Sequence, residues 1–271
     1  MSGKNCKIYT SYNLKSLPKH PGDNWTRFVC MSDTHSQTNI TVPPGNVLIH
    51  AGDLSSWGSL ENLMPTLEWL KSLPFELKMI IAGNHDLCLD TKWKDIGANW
   101  MHPKVRIEVD TALEYIRSED MRESGIIYLD HEETEIMTSK GVKWKIYGSP
   151  AAPFHLQGAF QYDSTEQAKD EWRRIPDSVE ILVTHTPAYG ILDKTRKGKY
   201  AGCSVLASRI KELLHCRMHV FGHIHEAHGA ILTNRTNNTG MWHTQYPEVI
   251  SVNPAMHHKS LPVIVDLKKD A

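Results

Sequence analysis

Lys78-Met79-Ile80-Ile81-Ala82-Gly83-Asn84-His85-Asp86 is the stretch on which the reading of this chain turns. A short apolar run of strand length ends abruptly at a glycine, the residue that most readily allows a sharp turn. Asn84 then offers a neutral carbonyl oxygen, and His85 stands beside it as an acid, a base or a contact for a substrate. Four more segments repeat the form. Arg27-Phe28-Val29-Cys30-Met31 leads to Asp33-Thr34-His35, and Val47-Leu48-Ile49-His50-Ala51 leads to Gly52-Asp53. Ile181-Leu182-Val183-Thr184 leads to His185, and Met218-His219-Val220-Phe221 leads to Gly222-His223-Ile224-His225.

Taken singly, each motif also fits an ordinary structural role, such as an Asp opening a turn or a hydrogen-bonded histidine. Their conjunction decides the matter. Residues two apart on an extended chain face the same way, so Asp33 and His35, or His223 and His225, can address one point. All five motifs fall at the carboxyl ends of predicted strands, where open α/β sheets place ligands. Asp33, His35, Asp53, Asn84, His185, His223 and His225 supply enough oxygen and nitrogen donors for two divalent ions. Such a site activates water for the hydrolysis of phosphate esters. Imidazole-rich mixed donors suit Mn, Fe, Co or Zn rather than Ca, with Mn expected to serve in vitro.

The order Asp-x-His, Gly-Asp, Gly-Asn-His-Asp, His, Gly-His-x-His resembles the calcineurin-like metallophosphoesterase superfamily. Thr26 to Ser36, Val42-Pro43-Pro44-Gly45, His50 to Asp53, Ile80 to His85 and His219 to Gly222 are similar to one branch of it. That branch holds the metallophosphoesterase-domain-containing proteins, grouped with class III cyclic nucleotide phosphodiesterases. The similarity runs from about Arg27 to about Leu267. It implies a four-layer α/β/β/α sandwich with two packed mixed sheets. It also implies that Asp33, His35 and His225 hold one metal, and Asn84, His185 and His223 the other. Asp53 would bridge both. His85, with Asn84 and Asp53, would be catalytic, and His85 would touch the phosphate or the leaving group. Some animal members of the branch carry Gly in place of the histidine found here at His223, so a competent dinuclear enzyme is implied. The expected reaction is hydrolysis of phosphodiesters, cyclic nucleotides among them, by a metal-bridging hydroxide. The alternatives are a phosphomonoesterase, nucleotidase or nuclease on the same site, or a catalytically silent protein-binding scaffold of the same fold.

Two departures from the wider superfamily matter. Many members read Gly-Asp-x-x-Asp, and the later Asp orients the catalytic His. Here Ser56 stands at that place, which leaves the orienting partner of His85 open. Protein serine/threonine phosphatases carry an Arg just after that Asp, and this chain has none.

The 271 residues suit one domain with a core over about 26–268 and a loosely ordered segment 1–25. A formal net charge of -1 provides no global field for nucleic acid or anionic membrane, so the expected partner is a small phosphoester, a nucleotide included. A homo-oligomer is compatible with the sequence. The five cysteines are odd in number and form no Cys-x-x-Cys, which fits free thiols and a cytoplasmic location. Strands are predicted near 27–32, 47–51, 78–82, 126–129, 180–184, 217–221, 228–232, 248–252 and 262–267. Glu133 to Met137 and Val142 to Tyr147 read as a hairpin. Helices are predicted near 60–72, 111–122, 164–173 and 203–214. Two loops are notable. Residues 186–202 carry Tyr189, Lys194, Arg196, Lys197 and Lys199, either as a lip meeting the substrate or as a solvated basic loop. Residues 233–247 carry Trp242, His243 and Tyr246, which could stack a base, cap the core or meet another subunit. His257-His258 is expected to be exposed and uninvolved.

Overall fold

The structure, a computed structural model, describes residues 2–3, 5–96, 108–234, 248–256 and 260–269. The first half of the chain runs β1 (Ser2–Gly3), β2 (Cys6–Tyr9), β3 (Trp25–Met31), β4 (Val47–Ala51), α1 (Leu60–Ser72) and β5 (Leu77–Ile81). It continues through α2 (Trp93–Ile96), α3 (Val109–Ile116), α4 (Glu119–Glu123) and β6 (Ile126–Tyr128). The second half opens with β7 (Glu132–Met137), β8 (Lys143–Ser149), β9 (Ala152–Pro153), β10 (Gln161–Tyr162) and α5 (Thr165–Arg173). It closes with β11 (Ile181–Thr184), α6 (Ser204–Glu212), β12 (Met218–Val220), β13 (Gly229–Asn234), β14 (Glu248–Asn253) and β15 (Val263–Lys268).

Two mixed sheets result, ordered β1-β2-β15-β3-β4-β5-β6 and β13-β14-β12-β11-β8-β7. Their middle strands are buried on both faces, as their continuous apolar runs require. Alternate residues of one strand serve different layers. Phe28 and Cys30 point between the sheets to meet Trp144, Ile181 and Val220. Val29 and Met31 point the other way, toward Leu63, Leu67 and Ile116 of the helices. On the far side, Leu182 packs with Trp172, Leu206 and Ile210 of α5 and α6. The layers therefore run helix, sheet, sheet, helix. Phe28 and Trp144 meet edge-on across the two sheets with ring centres 5.6 Å apart, a contact worth ~1 kcal/mol beyond its burial.

The parallel pairings β3-β4-β5-β6 and β8-β11-β12-β14 bring the carboxyl ends of these strands to one edge of each sheet. A bridge between Ser32 and Ala255 links the strand ends of the two sheets at that edge. This is the feature of the fold that builds a site.

Two expectations need correction. The segment 1–25 is not loosely ordered throughout: Cys6–Tyr9 pairs antiparallel with β15. Tyr12 Oη donates to the Pro262 carbonyl at 2.7 Å. Arg27, paired with buried Asp266 at 2.7 and 2.9 Å, also donates to the Pro18 carbonyl at 2.8 Å. The buried Arg27–Asp266 pair holds the guanidinium in place, so the Pro18 carbonyl meets a fixed donor, and with the β2–β15 pairing this ties the segment to the sheet. The helix expected over 111–122 is two helices. Ser118 interrupts it and accepts from Met121 N as the cap of α4, a contact worth ~1 kcal/mol.

All five cysteines are buried thiols, none of them in a disulfide. No helix among the described residues is long and apolar enough to cross a membrane. Most of the loop 233–247, with Trp242, His243 and Tyr246, lies outside the described residues, as do His257 and His258.

Candidate metal centre

Just past β3 and β4 the chain turns into the left-handed region at Asp33 (φ 54°), His35 (φ 45°) and Asp53 (φ 55°), and beyond β12 at His223 (φ 69°). That conformation is costly for residues with a Cβ and tends to collect at functional sites. Here it is held by loop-to-loop pairing that prolongs the sheet. Asp33 N donates to the Gly52 carbonyl at 2.8 Å, and His35 N to the Asp53 carbonyl at 3.0 Å. The side chains are thereby thrown toward a common space instead of alternating across the sheet.

Donor atoms of Asp33, His35, Asp53 and His225 all lie within 4.8 Å of one another, a grouping able to hold a metal ion. His225 Nε2 is 3.2 Å from Asp33 Oδ1 and 3.3 Å from His35 Nε2. A second set stands alongside. His185 Nε2 is 2.9 Å from Asn84 Oδ1, and its ring centre is 5.1 Å from that of His223. Asp53 lies between the two sets. Its Oδ2 is 3.7 Å from His35 Nε2, and its Oδ1 is 3.4 Å from His185 Nε2. The structure thus brings all seven sequence-derived donors into one region, with His85 at its mouth. The His85 and His35 rings meet edge to face at 4.6 Å.

The chemistry of these donors fits a cation. A carbonyl can only accept, so His185 Nδ1, 2.9 Å from the Ala51 carbonyl, carries the ring hydrogen. In the neutral ring Nε2 is then a lone pair facing two further acceptors, Asn84 Oδ1 at 2.9 Å and Asp53 Oδ1 at 3.4 Å. Positive charge is needed to relieve them. Without a metal ion the charge comes from a proton. Burial pushes His185 down, but the Asp53 carboxylate overrides it and raises its pKa to about 9. Burial pushes Asp53 up, yet the positive charge on His185 and its hydrogen bond hold it well below the usual carboxylate range. Asp33 is lowered in the same way: burial opposes ionisation, and the His225 hydrogen bond favours it. His223 goes down to about 4 through burial and the neighbouring His185 charge, leaving it neutral, the form in which imidazole binds metals.

The framework of the site includes residues that the sequence motifs do not assign. Asp86 accepts from Gly83 N, Leu54 N and Ser55 N at 2.8, 3.1 and 2.8 Å, which clamps the Asn84-His85 loop to the Asp53 loop. His50 and His219 are not in the site. They sit behind it, each with Nε2 against a threonine, Thr34 and Thr184, and burial lowers both to about 3. The open question about His85 also has an answer. Its Nδ1 donates to the backbone carbonyl of Ser56 at 2.9 Å. The main chain at position 56 does the orienting, while the Ser56 hydroxyl donates to the His35 carbonyl at 2.5 Å.

A cavity of about 260 Å³ opens over the cluster, lined by Asp53, Asn84, His85, His223 and His225 on its floor. Its remaining lining comes from Ser56, Trp57, Leu87, His155, Leu156 and Gln157. Of these, only Ser56 falls at a position that the sequence motifs mark. No residue of the basic loop 186–202 is among the lining residues. There Lys194 stands over the Tyr200 ring, and Arg196 N donates to Glu226.

The sequence profile of the calcineurin-like phosphoesterase family matches residues 26–227, and the chain belongs to that family. Its sequence is 37% identical over 257 residues to human metallophosphoesterase domain-containing protein 1, covering 92% of this chain and 73% of that protein. A UPF0046 protein of Caenorhabditis elegans is 33% identical over 223 residues, covering 81% of this chain and 70% of that one. A solved crystal structure, 12% identical, superposes with a TM-score of 0.51 over 85% of this chain and 91% of its own, a likeness of fold alone. Family and donor cluster together identify a metal-dependent phosphoesterase acting through divalent ions.

Gly222 provides a test of how tightly the cluster is built. A Cβ at this position would overlap Asp33 Oδ2 and Ser32 Oγ. Gly222→Ala is expected to displace the Asp33 carboxylate, weaken Mn²⁺ binding by roughly 10–100-fold and cost about 1–3 kcal/mol of stability. Calorimetric Mn²⁺ titration and thermal unfolding measure the two effects. Parental affinity in the variant would mean that Asp33 does not need this position.

Proposed function

We propose that the chain is a dinuclear, divalent-metal-dependent phosphodiesterase acting on small phosphoesters, cyclic nucleotides among them. The observation that carries this reading is the placement of Asp53, with one carboxylate oxygen toward His35 and the other toward His185. On this reading Asp33, His35 and His225 hold one ion, and Asn84, His185 and His223 the other. Asp53 is shared. Two bound divalent ions would supply a nucleophilic water near neutral pH and offset the charge that builds on the phosphoryl oxygens.

The remaining chemistry falls to the chain itself. The Ser56 carbonyl holds His85 through Nδ1–H and leaves Nε2 for the cavity, where the ring, having taken up a second proton from solvent as imidazolium, would deliver it to the leaving oxygen. The Asn84 side-chain amide, beside His85, is placed to hold a phosphoryl oxygen. Asp86 keeps both residues in register with Asp53.

Preference for diesters is supported by charge. No Arg or Lys is among the residues lining the cavity, so no fixed cation there favours a dianionic phosphoserine over a monoanionic diester. Treatment with a strong chelator is expected to abolish hydrolysis of bis(p-nitrophenyl) phosphate, and Mn²⁺ to restore it. Under matched Mn²⁺, kcat/KM for this diester and for a cyclic nucleotide should exceed that for a phosphoserine peptide by roughly tenfold or more. Activity in protein shown to be metal-free by elemental analysis would overturn the mechanism, and a phosphopeptide preference would overturn the substrate class.

A further inference from the structure

The wall of the cavity is unlike its floor. Trp57 is 52% exposed and Leu156 is 72% exposed, yet both line the same small space as His85. Single exposed apolar residues are ordinary on a protein surface. Two large ones held at the mouth of a polar site need a reason.

Both are held by their surroundings. On one side of Trp57 the Ser56 carbonyl is bound to the His85 ring. On the other side Gly58 (φ 71°) accepts from Cys88 N at 2.8 Å, and a Cβ on Gly58 would overlap Leu87. Leu156 takes a left-handed backbone (φ 56°), strained for a leucine and easy for Gly or Asn. Its loop is braced against the floor. Ala159 N donates to the Asn84 carbonyl at 2.9 Å, and Gln161 Nε2 to the His155 carbonyl at 3.0 Å. Strain of this kind persists where the surroundings over-determine it, commonly at ligand clamps.

Resting on the phosphoesterase reading, we infer that Trp57 and Leu156 form a subsite that receives a planar aromatic group carried by the phosphoester, on the leaving-group side beside His85. An aromatic face and an aliphatic side chain suit a flat ring, which stacks on one and is covered by the other. The cavity, about 260 Å³, falls below the ~300–1,000 Å³ of pockets for drug-sized ligands, so it covers the phosphate and one ring system and leaves the rest of a larger ester outside.

The test is calorimetric binding to the Mn²⁺-loaded protein of phenylphosphonate, methylphosphonate and a nucleoside 5′-phosphonate, none of which can be hydrolysed. Phenylphosphonate is expected to bind roughly tenfold more tightly than methylphosphonate, the usual reach of one stacking contact. Trp57→Ala and Leu156→Asn should each bring that ratio toward one while leaving methylphosphonate affinity and metal content unchanged. Leu156→Asn suits the backbone at this position, so it tests the side chain even if Trp57→Ala fails to fold. A nucleoside phosphonate that gains as much as the phenyl compound assigns the ring to a base; one that gains nothing assigns it to a simple aryl group. A parental ratio near one, or a ratio retained in the folded variants, overturns the subsite. Ring preference in a protein that hydrolyses no phosphoester would instead overturn the catalytic reading and leave the subsite standing.

Discussion

Asp53→Ala is expected to lose both metal uptake and hydrolysis, falling to the activity of the chelated parent. Asp53 faces both donor sets, with one carboxylate oxygen 3.7 Å from His35 Nε2 and the other 3.4 Å from His185 Nε2. It also accepts from His85 N at 2.9 Å, so the alanine variant loses a loop contact as well as a ligand. Asp53→Asn separates these effects because it keeps an acceptor for that N–H and removes only the charge. Both variants should lose the thermal stabilisation that Mn²⁺ gives the parent, ~2.7 kcal/mol at a hundred times Kd. The metal-free parent should show a steeper pH dependence of stability than either variant. With Asp53 present, His185 rises from 6.5 to about 9. A raised histidine adds stability that is complete below its ordinary value and is lost as pH climbs through the raised one. The metal-free parent should therefore weaken between about pH 6.5 and 9, and the variants should weaken less there, keeping only the share of His225, which its hydrogen bond to Asp33 raises. Elemental analysis and unfolding curves across that range decide it. A variant that retains both ions at parental affinity would refute the shared-carboxylate role.

Much of this architecture was legible in the sequence because burial on both faces leaves a plain signal. Val47–Ala51 and Ile181–Thr184 are largely apolar, wholly buried runs, and a ligand-type residue follows each within two positions. The donors could be read because metal chemistry restricts which residue types serve. What stayed hidden depends on backbone and contact. The Cys6–Tyr9 strand is too short to show a period, and its order comes from β15, more than 250 positions away. Residues 111–122 carry a helical pattern, but Ser118 caps a new helix inside it. The left-handed turns at Asp33, Asp53 and His223 leave no compositional mark, since none of the three is glycine. Trp57 and Leu156 lie in loops, where neither periodicity nor motif marks an apolar residue as part of a cavity wall. The basic loop after His185 stands out in the sequence by its charge, yet none of its residues lines the cavity.

The position of Ser56 shows most clearly what a side-chain alphabet omits. Compared with the Gly-Asp-x-x-Asp pattern, the chain has lost a carboxylate, and His85 would be left without an orienting partner. The carbonyl of the same residue supplies one at 2.9 Å. A carbonyl fixes the tautomer and the ring plane as a carboxylate does, but it is neutral. His85→Ala is accordingly expected to retain metal, because the contact from position 85 to Asp53 is made by the backbone N–H and survives the substitution. Turnover should fall by roughly 10²–10⁴-fold, the usual contribution of a positioned general acid. The loss should be smaller for a p-nitrophenyl diester than for an ester with an alkoxide leaving group, since only the poor leaving group needs its proton. Ser56→Ala keeps the carbonyl and removes only the hydroxyl bond to the His35 carbonyl. It should cost ~1 kcal/mol of stability and change kcat by no more than a few-fold. The measurements are kcat on the two ester types and metal content for both variants. An empty site in His85→Ala would make His85 a ligand instead of an acid. A Ser56→Ala defect equal to that of His85→Ala would place the orienting function in the hydroxyl and not in the main chain.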